Sequence, residues 1–200
     1  MNEKLKMGSA DPTALFKSWM NEAKKSEPVN PDAAALATVT ASGHPTVRMV
    51  LIKQADEQGF VFYTNSESPT GEELQLSGRA ALSFYWKSLL RQVRVDGPVE
   101  MTDEETSDAY FASRARSSQI GAWASSQSKP MEGRFELEKA IALYTAKFNL
   151  GPVPRPPHWN GYRIVPEKIE FWAERRFRLH DRMVYTRTDD GGWNIQRLFP

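Results

Sequence analysis

The feature that most constrains this chain is the spacing of its β-rich runs. Residues 35–40, 47–53, 60–64, 80–85 and 92–101 are short stretches rich in Val, Ile, Phe, Tyr and Thr. Ser42-Gly43 with Pro45 joins the first two as a hairpin, and Gln58-Gly59 turns into the third. Four more runs follow near 161–165, 168–172, 183–186 and 193–198, the last pair turned by Asp189-Asp190-Gly191-Gly192. Short strands this close together, with helices inserted between them, favour an antiparallel barrel with helical excursions over a parallel α/β sheet. The fold class is therefore α+β, mostly β.

The helical insertions have their own signals. Asp11-Pro12 is an N-cap and first-turn pair, and Leu15, Phe16, Trp19, Met20 and Ala23 then share one face of a helix reaching about residue 25. Ser68-Pro69 opens a short helix through Leu76. Thr102 and Glu105 have the spacing of a capping box and start a helix to about Ser113. A further helix is expected over 131–149, with Leu137, Ile141, Tyr144 and Phe148 on one side and Gly151-Pro152 as its stop. Residues 1–10 read as a flexible N-terminal segment and 11–200 as a single domain.

Composition narrows the function classes. Lys plus Arg number 26 against 25 Asp plus Glu, a balance that gives no electrostatic reason to expect nucleic acid or a membrane surface as a partner. Cysteine is absent, which excludes disulfide scaffolds, thiolate metal sites and cysteine nucleophiles. No run approaches the ~20 apolar residues of a membrane span, and residues 1–11 lack the apolar core of a signal peptide. A cytoplasmic location is the expectation. His44 and His158 are not spaced with carboxylates as metal ligands, so no metal site is assigned.

Several segments, in order and in spacing, resemble one family. They are Arg48-Met49-Val50-Leu51-Ile52-Lys53, Phe62-Tyr63-Thr64-Asn65, Arg91-Gln92-Val93, Tyr110-Phe111-x-Ser113-Arg114 and Ser118-Gln119-Ile120-Gly121-Ala122-Trp123. Gln127-Ser128, Ile169-Glu170-Phe171-Trp172, Arg178-Leu179-His180-Asp181-Arg182 and Arg197-Leu198-Phe199-Pro200 follow. Each piece alone is weak; nine in register over nearly the whole chain resemble the pyridoxamine 5′-phosphate oxidases. The resemblance implies a homodimeric split barrel with two FMN sites, each assembled from both subunits. It implies oxidation of pyridoxamine or pyridoxine 5′-phosphate to pyridoxal 5′-phosphate, with O2 as acceptor and H2O2 as product.

By the same resemblance, Arg48, Met49, Val50, Leu51, Ile52, Lys53, Tyr63, Thr64, Gln92, Gln127, Ser128, Trp172 and Arg182 contact FMN. Lys53, Tyr110, Arg114 and Ser118 hold the substrate phosphate, and Arg178 and His180 lie over its pyridine ring as the catalytic pair. The residue chemistry agrees with these roles. Two cations and two hydroxyls suit a phosphate dianion, with Tyr110 and Arg114 one helical turn apart and Ser118 just past the helix end. Hydride chemistry belongs to the flavin, so no acid–base dyad is required of the protein.

Plainer readings exist for the same residues. Without the surrounding motifs, Tyr110, Arg114 and Ser118 describe a solvated helix face with a capping serine. A lone histidine such as His180 is more often a satisfied polar residue than a catalyst, and Trp19, Trp86 and Trp172 suit packing. Two departures from the family also stand out. After Tyr-Thr-Asn the family usually reads Ser-Arg-Lys, with both cations reaching the FMN phosphate, whereas this chain has Ser68-Pro69-Thr70. Arg48 and Arg182 are then the candidate phosphate partners, and weakened FMN binding is the expectation. The family's N-terminal segment often carries Arg and Tyr that close over the substrate; residues 1–8 offer Lys4 and Lys6. The competing readings are a split-barrel protein that binds pyridoxal phosphate, a flavin or another planar ligand without efficient turnover, and a flavin reductase-like barrel.

Overall fold

The computed structural model describes residues 7–200. The first helix, α1 (Pro12–Ser26), starts as its sequence dictates: the Asp11 carboxylate accepts from the backbone N–H groups of Thr13 (2.8 Å) and Ala14 (3.0 Å). Its apolar face buries Leu15, Phe16, Trp19, Met20 and Ala23. Phe16 packs edge-on against Phe60 and Phe84 at 4.9 and 5.0 Å, and Trp19 against Phe171 at 5.2 Å. Each of these large side chains stabilises the fold by ~1.5–3 kcal/mol on burial, so α1 is part of the barrel core.

Ten strands form the sheet: β1 (Ala33–Val39), β2 (Pro45–Leu51), β3 (Gln54–Asp56), β4 (Gly59–Asn65), β5 (Arg79–Trp86), β6 (Arg91–Met101), β7 (Trp159–Ile164), β8 (Lys168–Ala173), β9 (Asp181–Arg187) and β10 (Trp193–Leu198). The long path runs β10-β9-β8-β6-β5-β1-β2, and β3, β4 and β7 form a branch that joins β6. All pairings are antiparallel, as expected from the strand spacing. The split lies in β6, whose residues 91–96 pair with β8 and whose residues 99–101 pair with β7. Gly97 sits at the changeover. A Cβ there would come within 1.9 Å of the Val165 carbonyl, so only glycine lets the β7–β8 connection pass this close. β2 pairs with β1 alone among the described strands, which leaves its other edge unpaired.

The remaining helices are α2 (Pro69–Ser77), α3 (Glu104–Ser113), α4 (Arg116–Ala124) and α5 (Glu136–Lys147). Three of them depart from the sequence expectation. Helix α3 is capped by Asp103, whose carboxylate accepts from Thr106 N, while Thr102 Oγ1 lies 2.8 Å from Ser107 Oγ; the capping box over Thr102 and Glu105 does not form. Helix α4 was unexpected, because its sequence lacks a capping side chain. Helix α5 is shorter than 131–149 and has no buried residue; Tyr144 and the following Phe148 attach it to Trp123 of α4 at 5.6 and 5.4 Å. Strand β3 was also missed.

Residues 1–6, including Lys4 and Lys6, lie outside the described residues. Nearby, Gly8 N donates to Tyr185 Oη (3.1 Å), which donates to the Ser9 carbonyl (2.9 Å). No described helix is long and apolar enough to cross a membrane.

Candidate functional site

Between the free edge of β2 and the α2–α4 excursions lies a cavity of ≈ 760 Å³. Strand β2 supplies Arg48 to Leu51, with Lys53 just beyond; β4 supplies Tyr63 and Thr64; α2 supplies Thr70. Tyr110 of α3, Arg114 and Ala115 of the α3–α4 connection, Ser118 of α4, Gln127 and Trp159 close the other side. An edge strand leaves backbone N–H and C=O groups unpaired, which suits it to meet the polar rim of a planar ring system.

Three rings stack along one wall. Tyr63 lies 4.2 Å from Tyr110 and 4.8 Å from Trp159, with interplanar angles of 14° and 7°. Burial, with the neighbouring Tyr110, pushes the Tyr63 phenol above its ordinary value, so it stays neutral and available as a donor. The Arg114 guanidinium sits over the Trp159 ring at 4.8 Å and the Phe111 ring at 5.6 Å. Its Nη1 is buried without a hydrogen-bond partner, and burial lowers the guanidinium's pKa from its ordinary value. An unsatisfied buried donor on a cation is unfavourable in isolation and becomes favourable when an anion arrives. Arg114 is not on α3, as the one-turn spacing from Tyr110 suggested; it is the extended residue that ends the helix, and Ser118 lies within α4. The break in the helix still brings all three residues to one cavity.

The other cations of this region have partners. Arg48 donates to the buried Glu73 carboxylate at 2.8 Å, and also bonds Thr38 and Thr46. Burial alone would push the Glu73 carboxyl up, but hydrogen bonds from Thr38, Thr46 and Arg48 outweigh it and hold the group below its usual value. Lys53 pairs with Asp32 at 2.7 Å. Helix α2 begins at Pro69 under a Ser68 cap whose Oγ accepts from Gly71 N. Gly71 is required there, since a Cβ would meet the Asn65 carbonyl at 2.5 Å.

The remaining sequence candidates lie elsewhere. Gln92, Trp172 and Arg182 form one row across β6, β8 and β9, paired in register. The His180 ring is 4.6 Å from Trp172, and its Nδ1 accepts from Arg175 N at 3.3 Å. Arg182 pairs with buried Glu170 at 2.8 Å and donates to the Phe199 carbonyl. Phe177 and Arg178 are consecutive left-handed residues at φ 60° and 61°, a strained turn joining β8 to β9. Ile52 is buried, with its N–H bonded to the Asp32 carbonyl, and lines a second cavity beside α1. Ser128, at φ 67°, faces a hollow between α4 and α5. Within one chain, the main cavity holds Arg48–Leu51, Lys53, Tyr63, Thr64, Tyr110, Arg114, Ser118 and Gln127. Gln92, Trp172, Arg178, His180 and Arg182 belong to a separate face.

Sequence reasoning missed Trp159, Glu73 and Asp32. Trp159 is the residue over which Arg114 stacks, 45 positions away. A lone Trp after the proline-rich loop carries no local marker of that contact. Glu73 is one of several acids on a short helix, and only its burial against Arg48 distinguishes it. Among the described residues no group of His and carboxylates could hold a metal ion.

A branched antiparallel sheet closed by one long shared strand, with an aromatic-walled cavity at its free edge, defines a split-barrel protein. Residues 20–147 match the family model described as pyridoxamine 5′-phosphate oxidase, and residues 159–200 match that of the pyridoxine 5′-phosphate oxidase C-terminal dimerisation region. The chain belongs to the pyridoxamine 5′-phosphate oxidase family. It is 59% identical over 193 residues to the pyridoxine/pyridoxamine 5′-phosphate oxidase of Brucella canis, covering 96% of this chain and 95% of that one. The relative of the same name from Brucella melitensis biotype 1 is also 59% identical, over 96% and 93% of the two chains. Among solved structures, PhzG from Burkholderia lata, in complex with tetrahydrophenazine-1-carboxylic acid, superposes with a TM-score of 0.90 at 32% identity, over 96% and 94% of the chains. A pyridoxamine 5′-phosphate oxidase-related, FMN-binding protein from Nostoc punctiforme shares the fold, with a TM-score of 0.78 at 17% identity over 96% and 100%.

Proposed function

We infer that this protein is an FMN-dependent pyridoxine/pyridoxamine 5′-phosphate oxidase acting as a homodimer. Family membership supports the reaction class. The observation that carries the reading to this chain's own site is the buried Nη1 of Arg114, without a hydrogen-bond partner, in an aromatic-walled cavity. It is a built place for the phosphate of a flat substrate.

The donor set fits a flavin as well. The free edge of β2 at Arg48, Met49, Val50 and Leu51 offers backbone groups to a ring system, and Tyr63, Thr64 and Gln127 line the same cavity. FMN held by these residues would supply the redox chemistry by which the amine, O2 and water give the aldehyde, ammonia and H2O2. The chain's own residues bind and orient. Arg114, Lys53, Tyr110 and Ser118 fix the substrate phosphate, and this anchoring sets the position of the reacting carbon. Gln92, Trp172 and Arg182, with Arg178 and His180 on the adjoining turn, serve the site of the opposite subunit, His180 and Arg178 lying over the pyridine ring. The match of residues 159–200 to a dimerisation region supports that arrangement, since β7 to β10 carry most of this second group.

The test is turnover by purified protein loaded with FMN. Pyridoxamine 5′-phosphate should yield pyridoxal 5′-phosphate and H2O2 in equal amounts with matching O2 uptake, and unphosphorylated pyridoxamine should be a poor substrate. Flavin and pyridoxal 5′-phosphate binding without turnover would replace the oxidase by a ligand-binding role.

A further inference from the structure

Of the three cations that line the main cavity, Arg114 and Lys53, the two assigned to the substrate phosphate, are treated differently by their neighbours. Arg114 has an unpartnered donor, whereas Lys53 is held at 2.7 Å by Asp32. Lys53 lines both the main cavity and a second one of ≈ 600 Å³ beside α1, and Asp32 lines only the second. Lys53 therefore borders both cavities, with its ammonium bonded to a carboxylate of the second. The backbone that carries Asp32 is fixed on the side of the second cavity. The Asp32 carbonyl accepts from Ile52 N at 2.9 Å, the preceding Pro31 carbonyl accepts from the buried Trp86 Nε1 at 2.8 Å, and Asn30 turns the chain at φ 46°.

We propose that Asp32 is a positioning residue that sets the strength of the phosphate site, restraining Lys53 so that a phosphorylated ligand is held firmly by Arg114 and only partly by Lys53. This rests on the oxidase reading above. Substrate and product carry the same phosphate, so grip on that group is uniform through the reaction: more of it lowers KM without raising kcat and slows product release. A carboxylate competing for one of two cations limits that grip. The pair is part-exposed, with side chains 28% and 25% accessible, so its removal should change affinity by roughly two- to fivefold.

The experiment is equilibrium titration of the flavin-loaded protein with pyridoxal 5′-phosphate and with pyridoxal, at low and high salt. Asp32→Asn, with Asp32→Ala as the second variant, should bind pyridoxal 5′-phosphate roughly two- to fivefold more tightly and pyridoxal unchanged. The gain should shrink with salt and vanish in a Lys53→Met background, and KM for pyridoxamine 5′-phosphate should fall with no rise in kcat. Equal or weaker binding in both Asp32 variants overturns the proposal, as does a gain that persists without Lys53. If the parent protein neither binds pyridoxal 5′-phosphate nor oxidises pyridoxamine 5′-phosphate, the oxidase reading falls and this inference with it. If the parent does both and the Asp32 variants match it, the Asp32 inference alone falls.

Discussion

Two regions carry the residues expected to act, and they are built on opposite plans. The cavity between β2 and α2–α4 is concave, walled by stacked rings, and keeps a cation with an unsatisfied donor. The β6–β8–β9 face is an open row of side chains in which Arg182 is already paired with Glu170. The first is prepared to receive an anion. The second presents an ordered surface, with Arg178, proposed above to act with His180, on a strained turn. A half-site of each kind on one chain, facing different ways, makes sense when two copies complete each other.

The largest effect should come from separating the halves. Arg114→Met and Arg178→Ala, each assayed at substrate well below the parental KM where a pure dimer of either keeps about a tenth of parental activity or less, are unfolded together and reassembled. Random pairing makes half the dimers mixed, each with one intact site, so about a quarter of parental activity should return. Activity equal to the average of the two variants would place both residues in one chain's site and erase the distinction between the regions.

A second test sharpens the cavity's own electrostatics. Pro69 and Thr70 stand where the family usually has two cations, Thr70 lines the cavity, and Arg48 is neutralised by Glu73. Pro69→Arg with Thr70→Lys should tighten FMN by about two decades, since each charge-assisted contact adds ~1.5–3 kcal/mol before desolvation. Riboflavin, which lacks the phosphate, should gain much less. Fluorescence quenching titrations of the apo-protein measure both. No gain for FMN would put its phosphate away from α2.

Arg114→Met alone should raise KM for pyridoxamine 5′-phosphate by roughly ten- to a hundredfold, the loss of one charge-assisted contact. Thermal unfolding without ligand should be unchanged or higher, because the variant removes a buried unsatisfied donor. An unchanged KM with lower thermal stability would make Arg114 a packing residue.

The smallest effect tests the clamp behind β2. Glu73→Gln leaves Arg48 without its carboxylate and should lower stability by about 1–3 kcal/mol at neutral pH. Because the folded carboxyl titrates below its ordinary value of 4.5, its stabilisation is present above that pH and is lost as pH falls through the folded value. The parent should therefore lose stability on acidification, and the variant should show a shallower loss over the same range. Parallel acid curves would show that the Arg48–Glu73 pair adds nothing to stability.

Much of this architecture was legible in the chain because it depends on local chemistry. Asp11-Pro12 fixes where α1 begins, Ser68-Pro69 where α2 begins, and β-rich alternation with turn residues fixes most strands within a residue or two. The motifs from Arg48 to Lys53 and from Tyr110 to Ser118 marked the residues that line the cavity. Tertiary structure decided the rest. Asp103 took the α3 cap from Thr102 because Thr102 lies beside Ser107, and Gly161 N donates to that same Ser107 hydroxyl from β7. That Arg114 stacks on Trp159, that Glu73 claims Arg48 and that Asp32 claims Lys53 are pairings across 45, 25 and 21 residues. Such partners are chosen by how the sheet curls and which side chains lose water together. A linear pattern records each residue's type and period, but not which charge it will share a dry space with.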